Sequence, residues 1–166
     1  NLKQAAKTIN FLTEHGISSY GELESKLTAL SAWRDTAHAE IKRIESRSAE
    51  LTLVMKHAGT YRQLKPLYDR YRKSNDKEKF LRGHESEIIL FEAAARELKR
   101  LGAVPLPTTE SMKTELANLS AEKERLLAEY KTARTEAQEY ETVKQNVDAL
   151  LAVPKEQEQQ RRHELE

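Results

Sequence analysis

The chain has 166 residues, of which 38% are hydrophobic and 33% charged, a balance that suits narrow apolar seams between helices better than a thick globular core. Its formal net charge of +1 exerts no global pull on nucleic acid or membrane, so any electrostatic partner must be sought in local patches. The absence of cysteine excludes disulfides, thiolate metal sites and cysteine nucleophiles, and no run of about 18 apolar residues offers a membrane span.

Helical periodicity begins at once. Over residues 2–15, Leu2, Ala5, Ile9 and Leu12 form one apolar stripe, predicting a first helix buried along that line. Gly16 is a natural left-handed stop, and Ile17 can fold back onto Phe11 or Leu12. Ser19-Tyr20-Gly21-Glu22 then reads as a capping box, in which the Ser19 hydroxyl accepts a backbone N–H and Glu22 reaches back.

From Tyr20 to about Ser74 the helical pattern is almost uninterrupted. Heptad spacing places Leu23, Leu27, Leu30, Arg34, Ala37, Ile41, Ile44, Ser48, Leu51, Met55 and Ala58 on one seam, with Arg34 and Ser48 as polar breaks. Gly59 loosens the pattern and Pro66 removes a backbone donor, so a kink or short break is expected between residues 59 and 66. Tyr61, Leu64, Tyr68 and Tyr71 continue the buried stripe beyond it.

Ser74-Asn75-Asp76 is a turn with good cap residues. A short helix over 77–82 follows, anchored by Phe80 and Leu81 and interrupted by Gly83. The helix predicted over 84–101 is the most apolar, with Ile88, Ile89, Leu90, Phe91, Ala94, Ala95, Leu98 and Leu101, a face wide enough for two neighbours. Gly102 caps it, and Pro105 and Pro107 mark an extended connector. Thr108 or Thr109 opens the last long helix, whose seam is Met112, Leu116, Leu119, Lys123, Leu126, Tyr130, Ala133, Ala137, Tyr140, Lys144, Val147 and Leu151. Val153-Pro154 should end or bend it, and residues 155–166 form a polar tail, either a solvated helical extension or a flexible end.

The expected fold is all-α: an elongated, coiled-coil-like antiparallel pair of long helices, 19–58 and 109–152, with a small helical head, 59–107, inserted between them. Residues 1–154 are read as a single helical domain. Leu23 should lie near Val147 and Leu51 near Leu119, with the first helix docked near the end of the last. A parallel dimer between two chains is the alternative, and the sequence does not determine the oligomeric state.

No chemistry stands out. His15, His38, His57, His84 and His163 are not at metal-ligand spacing, there is no glycine-rich phosphate loop, and the carboxylates sit on charged helix faces. No catalytic residue, metal or cofactor is assigned. One segment departs from the background. Residues 60–83 hold eight basic side chains, Arg62, Lys65, Arg70, Arg72, Lys73, Lys77, Lys79 and Arg82, against the acidic Asp69, Asp76 and Glu78. Tyr61, Tyr68, Tyr71 and Phe80 are interleaved with them. One reading is a nucleic-acid contact, with cations on phosphates and tyrosines free to stack on bases. The other, which the pattern by itself favours, makes the tyrosines core residues at helical spacing and the charges a solvated face.

Several stretches carry a family resemblance. They are the opening Asn1-Leu2-Lys3-Gln4-Ala5-Ala6-Lys7-Thr8-Ile9-Asn10-Phe11-Leu12-Thr13-Glu14-His15-Gly16-Ile17, then Tyr20-Gly21-Glu22-Leu23, and the Tyr61, Tyr68 and Tyr71 spacing with Lys73-Ser74 and Lys79-Phe80-Leu81. His84-Glu85 to Ile88-Ile89-Leu90 and Asn146-Val147-Asp148 with Leu150-Leu151 complete them. In these residues the chain resembles the region that follows the nuclease domain in relaxases, the mobilisation nucleases of integrative and conjugative elements of Gram-positive gut bacteria. The resemblance implies a longer, cytoplasmic bacterial parent that nicks one DNA strand at an origin of transfer, using a tyrosine nucleophile and a histidine-held metal in its N-terminal domain. Neither feature has a counterpart here. The resemblance therefore implies a non-catalytic C-terminal helical region, whose partners would be DNA near the origin of transfer or accessory and coupling proteins of the transfer machinery, without membrane insertion. A structural coiled-coil module that mediates protein contacts or dimerisation without touching DNA is the alternative.

Overall fold

The computed structural model describes the backbone of residues 1–165 and the side chains of residues 1–152 and 157–165. Four α-helices follow one another: α1 (Leu2–Glu14), α2 (Tyr20–Lys73), α3 (Lys77–Arg100) and α4 (Thr109–Leu165). They are distributed over two compact units, the described residues of Asn1–Ile41 with Arg125–Glu166, and Lys42–Glu124.

Local chemistry sets the helix ends. Gly16 and Gly102 adopt the left-handed region, with φ of 66° and 69°, which costs glycine nothing. At the first, the Ile17 N–H donates to the Leu12 carbonyl and Gly16 to Thr13; at the second, Ala103 donates to Leu98 and Gly102 to Lys99. Both are Schellman endings, in which carbonyls left over by the last turn find donors just beyond it. Asp76 caps α3 by accepting from the Lys79 N–H at 3.1 Å, and Thr108 caps α4 by accepting from Ser111 at 3.1 Å. At α2, Ser19 Oγ accepts from the Glu22 N–H at 3.1 Å as expected, but the Glu22 carboxylate reaches one residue further, to the Ser18 N–H at 2.8 Å. That bond holds the Glu22 carboxyl below its usual range.

In the first unit, α2 and α4 run antiparallel: Tyr20 pairs with Asp148, and His38 lies 5.6 Å from Tyr130. Leu23, Leu30, Ala137, Tyr140 and Val143 form a buried cluster, with Leu27 and Val147 at its edge, so the expected meeting of Leu23 and Val147 holds. Helix α1 docks on this pair, and only part of the expected stripe takes part: Leu12 packs against the cluster and Ala5 is half-buried. Thr8 is buried and Phe11 meets Tyr140 edge-on at 5.1 Å, while Leu2 and Ile9 are 91% and 60% exposed. Thr8 can occupy the interface because its hydroxyl donates back to the Gln4 carbonyl at 3.0 Å, leaving its methyl to pack.

Tyr20 donates to Asp148 at 2.6 Å, and Lys144 lies 3.3 Å from the same carboxylate. The Tyr20 bond, seconded by Lys144, lowers the Asp148 carboxyl, and the same bond raises the Tyr20 hydroxyl. A lowered carboxyl stabilises the fold above its unfolded-state pKa and ceases to do so as pH falls through the folded value; a raised phenol stabilises it until pH climbs through its folded value. Tyr20→Phe should therefore melt below the parent at neutral pH. The gap should begin to narrow as pH falls below about 4 or rises above about 10, and should vanish once pH has passed the folded value of the carboxyl or of the phenol. Thermal melts across pH check this; a gap that does not vary with pH would contradict it.

In the second unit, α2 and α4 are again antiparallel. Arg43 pairs with Glu122 at 3.8 Å, Glu45 with Lys123 at 3.8 Å and Arg47 with Glu115 at 2.7 Å. The polar break at Lys123 is thus answered across the seam. Leu51, Val54, Ala58, Leu98, Ala103 and Met112 form the buried cluster, with Met55, Tyr61 and Leu116 against it. Leu51 is grouped with Met112 and Leu116 instead of the expected Leu119, a shift of about one helical turn.

At three places an expected break is absent or displaced. Helix α2 runs without a break through Gly59 and Pro66. Both Pro66 and Arg62 are exposed, so the carbonyl that loses its intrahelical donor can turn to water. The expected break near Gly83 falls one residue later, at His84, whose φ of −139° and ψ of 28° leave the helical region within α3. Helix α4 continues past Val153-Pro154 to Leu165 instead of ending there, and residues 157–165 are exposed helix. The alternative of a bend at Val153-Pro154 rests on side chains outside the described residues. On α3, Ile88, Phe91, Ala94 and Leu98 are buried, but Ile89 and Leu90 are 54% and 55% exposed. Its apolar face is wider than the stripe its neighbours cover.

Candidate nucleic-acid interface

The basic segment spans the end of α2, the 74–76 turn and the start of α3, all within the second unit. Ser74 Oγ accepts from the Asp76 N–H at 3.2 Å, and this turn sends α3 back along α2. Aromatic rings join the two helices. Phe91 stacks on Tyr61 at 4.8 Å and on Tyr68 at 4.2 Å, each at an interplanar angle of 25°. The row continues from Tyr68 to Tyr71 at 5.7 Å, from Tyr71 to Phe80 at 6.0 Å and from Phe80 to His84 at 4.6 Å. Tyr61, Tyr68 and Tyr71 are all half-buried. Burial raises the Tyr68 hydroxyl, helped by the Glu92 carboxylate 3.4 Å away.

The eight cations divide by what they touch. Arg62 fastens the start of α4, donating to Thr109 Oγ1 at 3.0 Å and to the Pro107 carbonyl at 2.5 Å. Lys65 pairs with Asp69 at 2.9 Å, which raises its pKa. Arg70, Arg72 and Lys73 in the last α2 turn, and Lys77, Lys79 and Arg82 early in α3, are exposed and have no ion-pair partner among the described residues. The structure therefore brings these six together around one turn and withdraws Arg62 and Lys65 into local roles.

A shallow groove of about 430 Å³ runs beside the aromatic row, lined by Tyr61, Lys65, Tyr68, Arg72, Phe91 and Arg96, with Asp69 and Glu92 adding opposite charge. Phe91, Glu92 and Arg96 were not expected at this surface. Their only sequence signal is the i, i+4 spacing that puts them near one face of α3, and nothing in the sequence says which α2 residues that face meets. A larger groove of about 830 Å³ lies in the first unit between α1 and α4, lined by Lys3, Lys7, Phe11, His15, Gln138 and Val143 among others. Among the described residues no group of three or more His, Asp or Glu could hold a metal ion, and no helix is long and apolar enough to cross a membrane. Comparison with family models, curated proteins and solved structures finds no significant match.

Proposed function

We propose that the chain is the non-catalytic helical region of a relaxase acting in conjugative DNA mobilisation, and that the α2–α3 turn is its DNA contact. The family assignment rests on the residue resemblance set out above. The DNA contact rests on one observation: six exposed cations gathered about one turn without carboxylate partners among the described residues. A solvated charged face ordinarily interleaves its signs, as the Arg43, Glu45 and Arg47 stretch does against Glu115, Glu122 and Lys123. Cations left unpaired on a rigid hairpin offer a ready place for phosphates.

Combined reversal of Arg70, Arg72, Lys73 and Lys77 to glutamate tests the contact. The parent should bind single- or double-stranded origin-of-transfer DNA at low salt, and the variant should bind roughly 100-fold more weakly. No binding by the parent, or equal binding by both, would remove the DNA role.

The exposed Ile89 and Leu90 of α3 favour a second reading, a helical module that docks an accessory or coupling protein or a second copy. Light scattering over a concentration series distinguishes self-association from a monomer awaiting another partner.

A further inference from the structure

We propose that the α2–α3 turn reads phosphates alone, and so takes duplex DNA of any sequence in preference to single strands. The inference rests on the DNA-contact reading and specifies what that contact recognises. Single-strand sites combine a basic track with free aromatic faces on which bases stack. Here the rings are already engaged. Phe91 occupies one face of Tyr61 and one face of Tyr68. Tyr71 leans on Tyr68 and Phe80, Phe80 on His84, and Tyr61 also packs against the buried cluster around Ala58 and Leu98. Freeing a ring for a base would undo the packing that joins α3 to α2. Tyr68 is further tied by its hydroxyl to Glu92.

What remains available is charge. Arg70, Arg72, Lys73, Lys77, Lys79 and Arg82 are exposed and have no ion-pair partner among the described residues. With no stacking to reward an unpaired base, charge density decides between ligands, and a duplex carries more charge per unit length than a single strand. None of the six is held in place by a carboxylate that would fix it toward one base edge, so no sequence should be preferred.

Fluorescence anisotropy with the whole chain tests this, using two duplexes of unrelated sequence of about 20 base pairs, an oligo-dT of equal length and inorganic polyphosphate as competitor. The two duplexes should bind within about twofold of each other and tighter than oligo-dT, and polyphosphate should displace both kinds of ligand. With about four phosphates neutralised, duplex affinity should fall roughly 100-fold between about 50 and 200 mM salt. Lys73→Ala with Lys77→Ala should reduce the salt slope by about two, while Tyr71→Leu, with helicity checked by circular dichroism, should leave affinity within about twofold. Tighter binding of oligo-dT, affinity that survives high salt, or dependence on the Tyr71 ring would overturn the inference while sparing the DNA contact. Failure to bind any of these probes at low salt would remove the DNA contact itself.

Discussion

Phe91→Ala is expected to lower the stability of the second unit by about 3 to 5 kcal/mol. Phe91 is only 5% exposed and stacks with both Tyr61 and Tyr68, so one truncation empties the middle of the aromatic row. The loss has two parts: the transfer free energy of the ring, and a cavity that two tyrosines on a rigid helix cannot collapse to fill. Phe91→Leu, which retains most of the apolar volume, should cost less, and what it still costs should include about 0.5 to 1.5 kcal/mol for each ring pair lost, since both variants lose both pairs. Tyr68→Phe keeps the stack and gives up only the long bond to Glu92, so it should be close to neutral. Urea denaturation followed by circular dichroism measures all three. A small effect of Phe91→Ala would mean that the rings are not what holds α3 to α2, and the argument that they are unavailable to bases would fall with it.

Heptad spacing made most of the α2 and α4 seams legible. Leu23, Leu30, Ala37, Ile41, Ile44, Leu51 and Ala58 are buried where the repeat places them, as are Met112, Leu119, Leu126, Ala133, Ala137 and Tyr140. Antiparallel pairing of the two helices was legible as well, because two seams of similar length joined by a reversing connector have few other ways to cover each other. The helix ends were readable for a more local reason: Gly16, Gly102, Ser19 and Asp76 act within a few residues of their own position. Pairing register was read less well. The Leu51 offset depends on how the chain leaves α3 and passes through residues 101–108, and no repeat encodes that path. No break forms at Gly59 to Pro66 because the cost of a proline depends on which way it faces, and an exposed proline sacrifices a bond that water can replace. At the candidate interface, the positive charge was plain in the sequence, but the fate of each residue was not. Arg62 could not be known to anchor Pro107 and Thr109, nor Phe91 to lie against the tyrosines, before the return path of α3 was known. The rings of Tyr61, Tyr68 and Tyr71 stay half-buried, in a row with Phe91 and Phe80.

Four substitutions in the first unit measure how far an apolar stripe can mislead. Leu23→Ala should cost about 2 to 5 kcal/mol, because Leu23 is 1% exposed within the cluster of Leu30, Ala137, Tyr140 and Val143. Ile9→Ala, at a position that periodicity alone would rank equally with Leu23, should change stability by no more than about 0.5 kcal/mol, since the side chain is already mostly in water. Thr8→Val is the decisive member. Thr8 is not among the apolar residues of the expected stripe, yet it is 3% exposed and its hydroxyl donates to the Gln4 carbonyl of its own helix. Valine keeps the buried methyl, puts a second one in place of the hydroxyl and drops a bond that the helix does not need, because that carbonyl still receives the backbone N–H of residue 8. Thr8→Val should therefore be neutral or slightly stabilising, whereas Thr8→Lys should detach α1 by forcing an ammonium into the contact beside Phe11 and Tyr140. If Ile9→Ala proved as costly as Leu23→Ala while Thr8→Lys were tolerated, α1 would have to dock through its Leu2 and Ile9 face. The Phe11–Tyr140 contact would then not form as described.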